Sequence, residues 1–140
     1  MGARLDPDTE VGARALAALA ADPIGWLTTV DPTGRPTSSP IWFLWDGHEV
    51  LVYSHRRARR NADIATQPQI SFHLNSDEWA DELLTMEGTA RIDPDGSPAT
   101  SNPEYLAKYE AKILTYGWTL EWFASEYPVV VRITPERWRT

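Results

Sequence analysis

The segment IGWLTTVDPTGRPTSSPIWFLWDGHEVLVYS, residues 24–54, decides the fold. It contains three runs rich in β-branched and aromatic residues, which favour strands. The runs are separated by DPTG (residues 31–34) and DG (residues 46–47), both typical turn sequences. Two prolines in the second run, residues 35–45, restrict it to a sheet edge or a bulge. The segment therefore predicts three strands in an antiparallel meander.

The rest of the chain adds three strands and several helices. Further strands are predicted at residues 70–74, 83–92 and 128–134, because β-formers recur there between turn sequences. Six short antiparallel strands with a few peripheral helices indicate a mainly β (α+β) fold, a small closed barrel. We expect residues 1–140 to form one domain of that kind.

The helices are predicted at the start of the chain, after the third strand and before the last strand. An alanine-rich stretch within residues 1–22 reads as an amphipathic helix that ends at Asp22-Pro23, and a short helix follows the third strand at residues 61–66. The segment 101–126 begins with a capping sequence and carries a stripe of apolar side chains at three- and four-residue spacing. The stripe is interpreted as packing; its members are Tyr105, Tyr109, Ile113 and Tyr116.

Composition excludes several classes of function. The chain has 140 residues, a net charge of −7, seven tryptophans and no cysteine. It therefore has no disulfide, no thiolate metal site and no cysteine nucleophile, and it lacks the broad basic face of a nucleic-acid-binding protein. No apolar run approaches the length of a membrane span, and the alanine-rich stretch lacks a basic n-region, so a cytoplasmic protein is expected.

The basic residues are concentrated at one place. Four of the thirteen, Arg56, Arg57, Arg59 and Arg60, follow Tyr53-Ser54 at the predicted end of a strand and precede a predicted helix. Guanidinium groups, a hydroxyl from Ser54 and an amide from Asn61 are donors suited to phosphate oxygens. A solvated loop paired with nearby carboxylates is the alternative interpretation.

No pattern supplies an acid, base or nucleophile. The three histidines lie too far apart in sequence for a metal-ligand motif, and there is no Gly-x-Ser-x-Gly elbow and no phosphate-binding glycine loop. No catalytic residue and no metal site is predicted. An enzyme of this sequence would need a bound cofactor to carry the chemistry.

A succession of short motifs covers nearly the whole chain in order. They are WLTTV (26–30), GRP (34–36), SPIWF (39–43), YS (53–54), residues 68–74, EGTA (87–90), YLAKY (105–109), Phe123, Tyr127 and the stretch 132–139. In this succession the sequence resembles the pyridoxamine 5′-phosphate oxidase-like split-barrel superfamily of flavin and deazaflavin proteins, and within it the F420-dependent branch.

The resemblance implies a six-stranded antiparallel split β-barrel that forms a homodimer, with two cofactor sites at the subunit interface. It implies F420 as cofactor, with FMN as the alternative. By position, Ser39, Pro40, Ile41 and Trp42 would lie along the ring system, and Tyr53 and Ser54 near the ribityl chain and phosphate.

The phosphate position departs from the family pattern. The family's phosphate-binding lysine, six residues beyond the serine, falls on Arg60, and a second basic position falls on Ala62. Arginine keeps the charge but changes its reach and geometry. Arg57 or Arg59 could compensate for the missing second basic residue.

Three functions remain open from the sequence. The first is an F420-dependent oxidoreductase that transfers a hydride between the cofactor and a small, unsaturated substrate, with Trp42, Trp79 and Trp118 as candidate stacking walls. The second is an FMN-dependent enzyme like pyridoxamine-phosphate oxidase. The third is a deazaflavin-binding or storage protein without turnover.

Overall fold

The computed structural model describes residues 4–140, which form seven strands and four α-helices. The strands are β1 (Gly25–Val30), β2 (Pro36–Ile41), β3 (Leu44–Trp45), β4 (Val50–Ser54), β5 (Gln69–Leu74), β6 (Thr85–Ile92) and β7 (Val129–Arg139). The helices are α1 (Glu10–Ala21), α2 (Arg60–Thr66), α3 (Pro103–Thr115) and α4 (Leu120–Glu126), with a 3₁₀ turn at Ala99–Ser101. The start of the helix predicted within residues 1–22 falls partly on residues 1–3, which lie outside the described residues.

The mainly β, α+β fold class is confirmed, but one detail of the prediction, the number of strands, is wrong. The strands form one antiparallel sheet in the order β2-β1-β5-β6-β7-β4-β3. The sheet has seven strands rather than six, because the run predicted as one strand over residues 35–45 is divided into β2 and β3. The strand pairings of the predicted meander do form, β1 with β2 and β3 with β4, but the division of the second run places these two pairs at opposite edges of the sheet.

The connection between β2 and β3 shows that the sheet is curled. These two strands are the opposite edges of the sheet, yet only Trp42 and Phe43 separate them along the chain. Three Cα–Cα steps reach about 11 Å, whereas the edges of a flat seven-stranded sheet would lie about 29 Å apart. The sheet must therefore bend until its edges approach each other, which is the half-barrel expected of a split barrel.

The interruption at Phe43 has a local cause. Its backbone N–H donates to the Tyr109 hydroxyl oxygen at 2.9 Å, and its carbonyl oxygen accepts from Lys108 Nζ at 2.9 Å. Both backbone groups are thus satisfied by side chains of α3 rather than by a neighbouring strand. The predicted turns on either side are confirmed, and Gly34 and Gly47 adopt the positive φ values, 89° and 94°, that such turns favour.

Apolar residues on β4 are buried on both faces of the strand. Val50 and Val52 belong to the barrel interior, with Phe43, Phe72 and Trp138. Leu51 and Tyr53 point the other way, into a second cluster formed with the two C-terminal helices. The helices thereby cover the outer face of β4, and a site can form between them and the strand.

Side-chain caps fix the starts of these two helices. The Asn102 side chain accepts from the backbone N–H of Tyr105, and the Thr119 side chain accepts from the N–H of Trp122.

Among the described residues, no helix is both long enough and apolar enough to cross a membrane.

One carboxylate links three neighbouring segments, and we predict that it makes stability sensitive to acid. Glu49, next to β4, accepts from Arg91 of β6 and from Thr134 of β7 at its Oε2 (2.6 and 2.8 Å). The Arg91 hydrogen bond holds the pKa of Glu49 below its ordinary value of 4.5. A lowered pKa contributes stability above the unfolded pKa that is lost as pH falls through the folded pKa.

We therefore expect the urea midpoint to fall as pH drops from about 5 to about 3, and Glu49→Gln to reduce that fall. Glu136 on β7 is exposed and makes no ion pair within residues 4–140, so Glu136→Gln is the matched control. An equal pH dependence in wild type and Glu49→Gln would contradict this role.

Candidate functional site

A cavity of about 410 Å³ lies between β4 and the C-terminal helices. Its wall combines the end of β2, Trp42 of the β2–β3 connection, β4 and the loop after it, the start of α2, and residues in and beside α3 and α4. The lining residues are Pro40, Ile41, Trp42, Val52, Tyr53, His55, Ala58, Arg60, Tyr105, Tyr116, Trp118, Phe123 and Tyr127. Seven of these are tyrosine, tryptophan or phenylalanine, so the wall is mostly flat aromatic surface.

The aromatic rings of the wall hold one another in place. The Trp42 ring is nearly parallel to that of Tyr109, with centroids 4.8 Å apart and planes 5° apart, and it stacks on Phe123 at 5.8 Å. Tyr116 and Trp118 meet at 4.7 Å. Such contacts restrict ring motion, and a restricted aromatic wall suits a planar ligand.

Arg60 provides a cation in this aromatic wall. One guanidinium nitrogen donates to the Ser54 hydroxyl oxygen at 3.0 Å, and Ser54 itself is 1% exposed. Burial lowers the pKa of Arg60 from its ordinary value, although an arginine stays charged at neutral pH. Within residues 4–140 Arg60 forms no ion pair, so its charge is available to an anion in the cavity.

The other arginines of the basic run lie elsewhere. Arg56 pairs with Glu126 at 3.2 Å, and Arg59 lies 3.8 Å from Asp31 with its side chain 81% exposed. The exposed Arg57 lies outside the cavity. The run is therefore divided, with one member facing the cavity and the others directed to solvent or to carboxylates.

The remaining residues predicted for cofactor binding also divide into two groups. Pro40, Ile41, Trp42 and Tyr53 line the cavity together with Arg60. Three do not line it: Ser39, Ser54 and Asn61. Ser54 accepts a hydrogen bond from the Arg60 guanidinium, whereas the Asn61 amide N–H donates to the carbonyl oxygen of His55 at 2.9 Å. Their role toward a cofactor stays a prediction.

The three tryptophans proposed as stacking walls separate in the same way. Trp42 and Trp118 line the cavity. Trp79 lies in the loop between β5 and β6, is 78% exposed and does not reach it.

Sequence reasoning did not select several lining residues as candidates for binding. They are Val52, His55, Ala58, Tyr105, Tyr116, Phe123 and Tyr127. The stripe on α3 carried a signal for two of them, but the pattern could not separate packing from lining. Tyr109 and Ile113 are packing residues as interpreted, whereas Tyr116, at the end of the stripe, is 49% exposed and lies at the cavity.

Solved structures with the same fold come from proteins of different reported roles. An F420 reductase shares 21% identity, with a TM-score of 0.65 over 88% of this chain and 94% of that one. The haem storage protein HutZ from Vibrio cholerae shares 19% identity, with a TM-score of 0.65 over 98% and 94%. The conserved hypothetical protein Rv2991 from Mycobacterium tuberculosis shares 21% identity, with a TM-score of 0.72 over 94% and 82%.

These identities are low enough that the solved structures establish the fold alone. A comparison with curated proteins gives no significant match. The family model described as pyridoxamine 5′-phosphate oxidase, however, matches residues 12–140, nearly the whole chain. On the curled antiparallel sheet and this match, the chain belongs to the pyridoxamine 5′-phosphate oxidase family.

Proposed function

We propose that this protein is an F420-dependent oxidoreductase that transfers a hydride between the deazaflavin and a small, unsaturated organic substrate. The observation that carries the proposal is Arg60, a partly buried guanidinium without a carboxylate partner in the described chain, placed in the wall of an aromatic cavity. A planar ring system with a phosphate has the complementary chemistry: flat apolar faces and a localised negative charge.

The residues present fit such a cofactor. The cavity volume lies in the range of about 300–1,000 Å³ that is usual for small-molecule sites. Arg60, held by Ser54, would bind the phosphate, and Trp42 and Trp118 would pack on the ring system. When bound, the deazaflavin supplies the hydride. The aromatic side chains of this chain orient the flat ligand and keep water from its faces.

We also propose that residues 1–140 form one split-barrel domain that acts as a homodimer, with each cofactor site completed by the partner subunit. Exposed apolar side chains on the two C-terminal helices support this: Leu114 is 52% exposed and Trp122 is 42% exposed. The family resemblance of the sequence favours the same assembly. Light scattering across a range of protein concentrations tests it, and a monomer at all concentrations would exclude it.

The cofactor is tested by titrating the purified protein separately with F420, FMN and haem and following tryptophan fluorescence. We expect micromolar binding of F420. Binding of FMN alone would instead support an FMN-dependent enzyme, and binding of haem alone would support a haem-binding role. Against haem ligation, both ring nitrogens of His55, the histidine in the cavity wall, are engaged, by Glu126 at 3.2 Å and by the N–H of Arg57 at 3.0 Å.

Turnover separates an enzyme from a storage protein. Reduced F420 is mixed with the protein and a panel of unsaturated substrates, and its oxidation is followed by absorbance. Acceleration over the protein-free reaction is the expected result. Tight F420 binding without turnover across a broad panel would support the storage role.

We predict that Trp118→Ala weakens binding of phosphorylated and phosphate-free ring ligands alike, by about three- to tenfold, because the lost contact is stacking on the ring. Trp79→Ala is the matched control, since Trp79 is 78% exposed and outside the cavity. Dissociation constants for F420 and for its phosphate-free chromophore measure both effects. A loss confined to the phosphorylated ligand would show that Trp118 does not contact the ring.

A further inference from the structure

We infer that Tyr105 is a hydrogen-bond donor to substrate, and that the substrate of this cavity is a planar conjugated ketone or related carbonyl compound. The inference deepens the proposed function and rests on it, because a ligand of this cavity is a substrate only if the protein is an enzyme. The observation beneath it is a phenol hydroxyl in the cavity wall that has no hydrogen-bond partner in the described chain.

The ring of Tyr105 is fixed and almost completely buried. It is 1% exposed and meets Tyr53 edge-on at 4.7 Å and Tyr109 at 4.9 Å. Phe123 stacks on it at 6.1 Å. The ring has little freedom to turn its hydroxyl toward another partner.

The hydroxyls of the two neighbouring tyrosines are engaged. The Tyr53 hydroxyl donates to the Ser97 carbonyl oxygen at 3.0 Å and accepts from Asn102 at 3.1 Å. The Tyr109 hydroxyl lies 2.7 Å from the Pro23 carbonyl oxygen and accepts from the N–H of Phe43. Within residues 4–140 the Tyr105 hydroxyl has no such bond.

The Tyr105 hydroxyl is also not sealed inside the protein. Among the described residues, the fully enclosed side-chain polar atom without a partner is Asn61 Oδ1, not the Tyr105 oxygen. The Tyr105 oxygen therefore keeps accessible surface, and the open space that this buried residue borders is the cavity. A buried donor without an acceptor is costly, so native structures seldom retain one unless a ligand or water completes it.

The chemistry of the complementary group follows from the surroundings. Burial raises the pKa of Tyr105 well above its ordinary value of 10, so the hydroxyl remains protonated and able to donate at neutral pH. The walls on either side are aromatic faces, which favour a flat ligand. A carbonyl oxygen conjugated to a planar ring accepts a hydrogen bond while its ring lies against those walls.

Two other tyrosines of the wall are less suited to this role. Tyr116 is 49% exposed and Tyr127 is partly exposed, so water can satisfy their hydroxyls in the free protein. Only a donor shielded from bulk water gains strongly from a ligand acceptor.

The test uses three tricyclic ligands of nearly equal shape, titrated against the full chain. Fluorenone carries a carbonyl acceptor, carbazole carries an N–H donor and fluorene carries neither. We expect wild type to bind fluorenone about three- to tenfold more tightly than fluorene, the usual effect of one neutral hydrogen bond. Tyr105→Phe is expected to bind the two equally, and the infrared carbonyl stretch of bound fluorenone to lie at higher frequency in this variant than in wild type.

Folding is controlled by a matched pair of variants. Tyr105→Phe removes a hydroxyl that has no hydrogen-bond partner among residues 4–140, so its urea midpoint is expected to equal that of wild type. Tyr109→Phe leaves the buried N–H of Phe43 without an acceptor, so its midpoint is expected to fall. A preference for fluorenone that survives in Tyr105→Phe, is abolished by Tyr127→Phe instead, or is replaced by a preference for carbazole would overturn the inference.

The same titrations are repeated with protein saturated with whichever cofactor binds. Fluorenone binding that persists in the loaded protein, with its dependence on Tyr105, assigns the donor to substrate. Displacement of fluorenone by the cofactor would assign the hydroxyl to the cofactor ring and overturn the substrate assignment. Because the measurements without cofactor stand alone, failure of the F420 proposal and failure of the Tyr105 assignment are distinguishable.

Discussion

Replacement of Arg60 by alanine is expected to weaken binding of a phosphorylated deazaflavin or flavin by about 10- to 150-fold, equivalent to about 1.5–3 kcal/mol for hydrogen bonds to a charged group. The reason is that Arg60 is the arginine of the basic run that lines the cavity, and its charge has no carboxylate partner in the described chain. Binding of the phosphate-free chromophore is expected to change by less than about twofold, because the stacking walls remain.

Arg57→Ala is the matched control for Arg60→Ala. Both substitutions remove one positive charge from the same short stretch, but Arg57 is exposed and lies outside the cavity. Its loss should change affinity only slightly, through a screened long-range effect. Equal losses in the two variants would mean that the phosphate senses the charge of the whole run rather than Arg60, and the assignment would fail.

Replacement of Phe43 by alanine is expected to lower the free energy of unfolding by about 3–5 kcal/mol, the usual range for a fully buried phenylalanine. Phe43 is 0% exposed, packs edge-on against Phe72 at 5.2 Å and lies under the Lys108 amine at 3.8 Å. It also stands at the point where the two sheet edges meet. A cavity there would loosen both the barrel interior and the support of the neighbouring Trp42.

Urea denaturation at one fixed protein concentration measures the loss, since dimerisation would make the midpoint concentration-dependent. Trp79→Ala is the control, because Trp79 is also aromatic but 78% exposed, and its truncation should cost less than about 0.5 kcal/mol. A loss below about 1 kcal/mol for Phe43→Ala would show that the site relaxes around the missing ring.

Local sequence signals predicted most of the elements because each has a local physical cause. The turns at Gly34 and Gly47 need positive φ, and the caps at Asn102 and Thr119 supply acceptors to free backbone N–H groups. The last strand was predicted to end near residue 134 and continues to Arg139, because pairing with β6 extends it. That extension depends on a partner strand distant in sequence.

The candidate site was less accessible to such reasoning. The strand-forming runs and the cluster of arginines were visible in the sequence. Which arginine faces the cavity, however, depends on where the carboxylates of Glu126 and Asp31 lie in the fold. Glu126 is 70 positions from Arg56, and Asp31 is 28 positions from Arg59. Likewise the stripe of α3 predicted one buried face. Whether a ring on that face packs or borders a cavity depends on the space left between α4 and β4.

The sequence by itself determined the α+β class, the turns, the capped helices and the family, because these follow from local backbone preferences and from motifs in order. The tertiary structure decided that residues 35–45 break at Phe43, because side chains of α3 satisfy the backbone there. It also decided that Arg60 is left without a carboxylate in the described chain and that Tyr105 is left without an acceptor. Those two facts concern which groups find no partner, and that depends on the position of every other element.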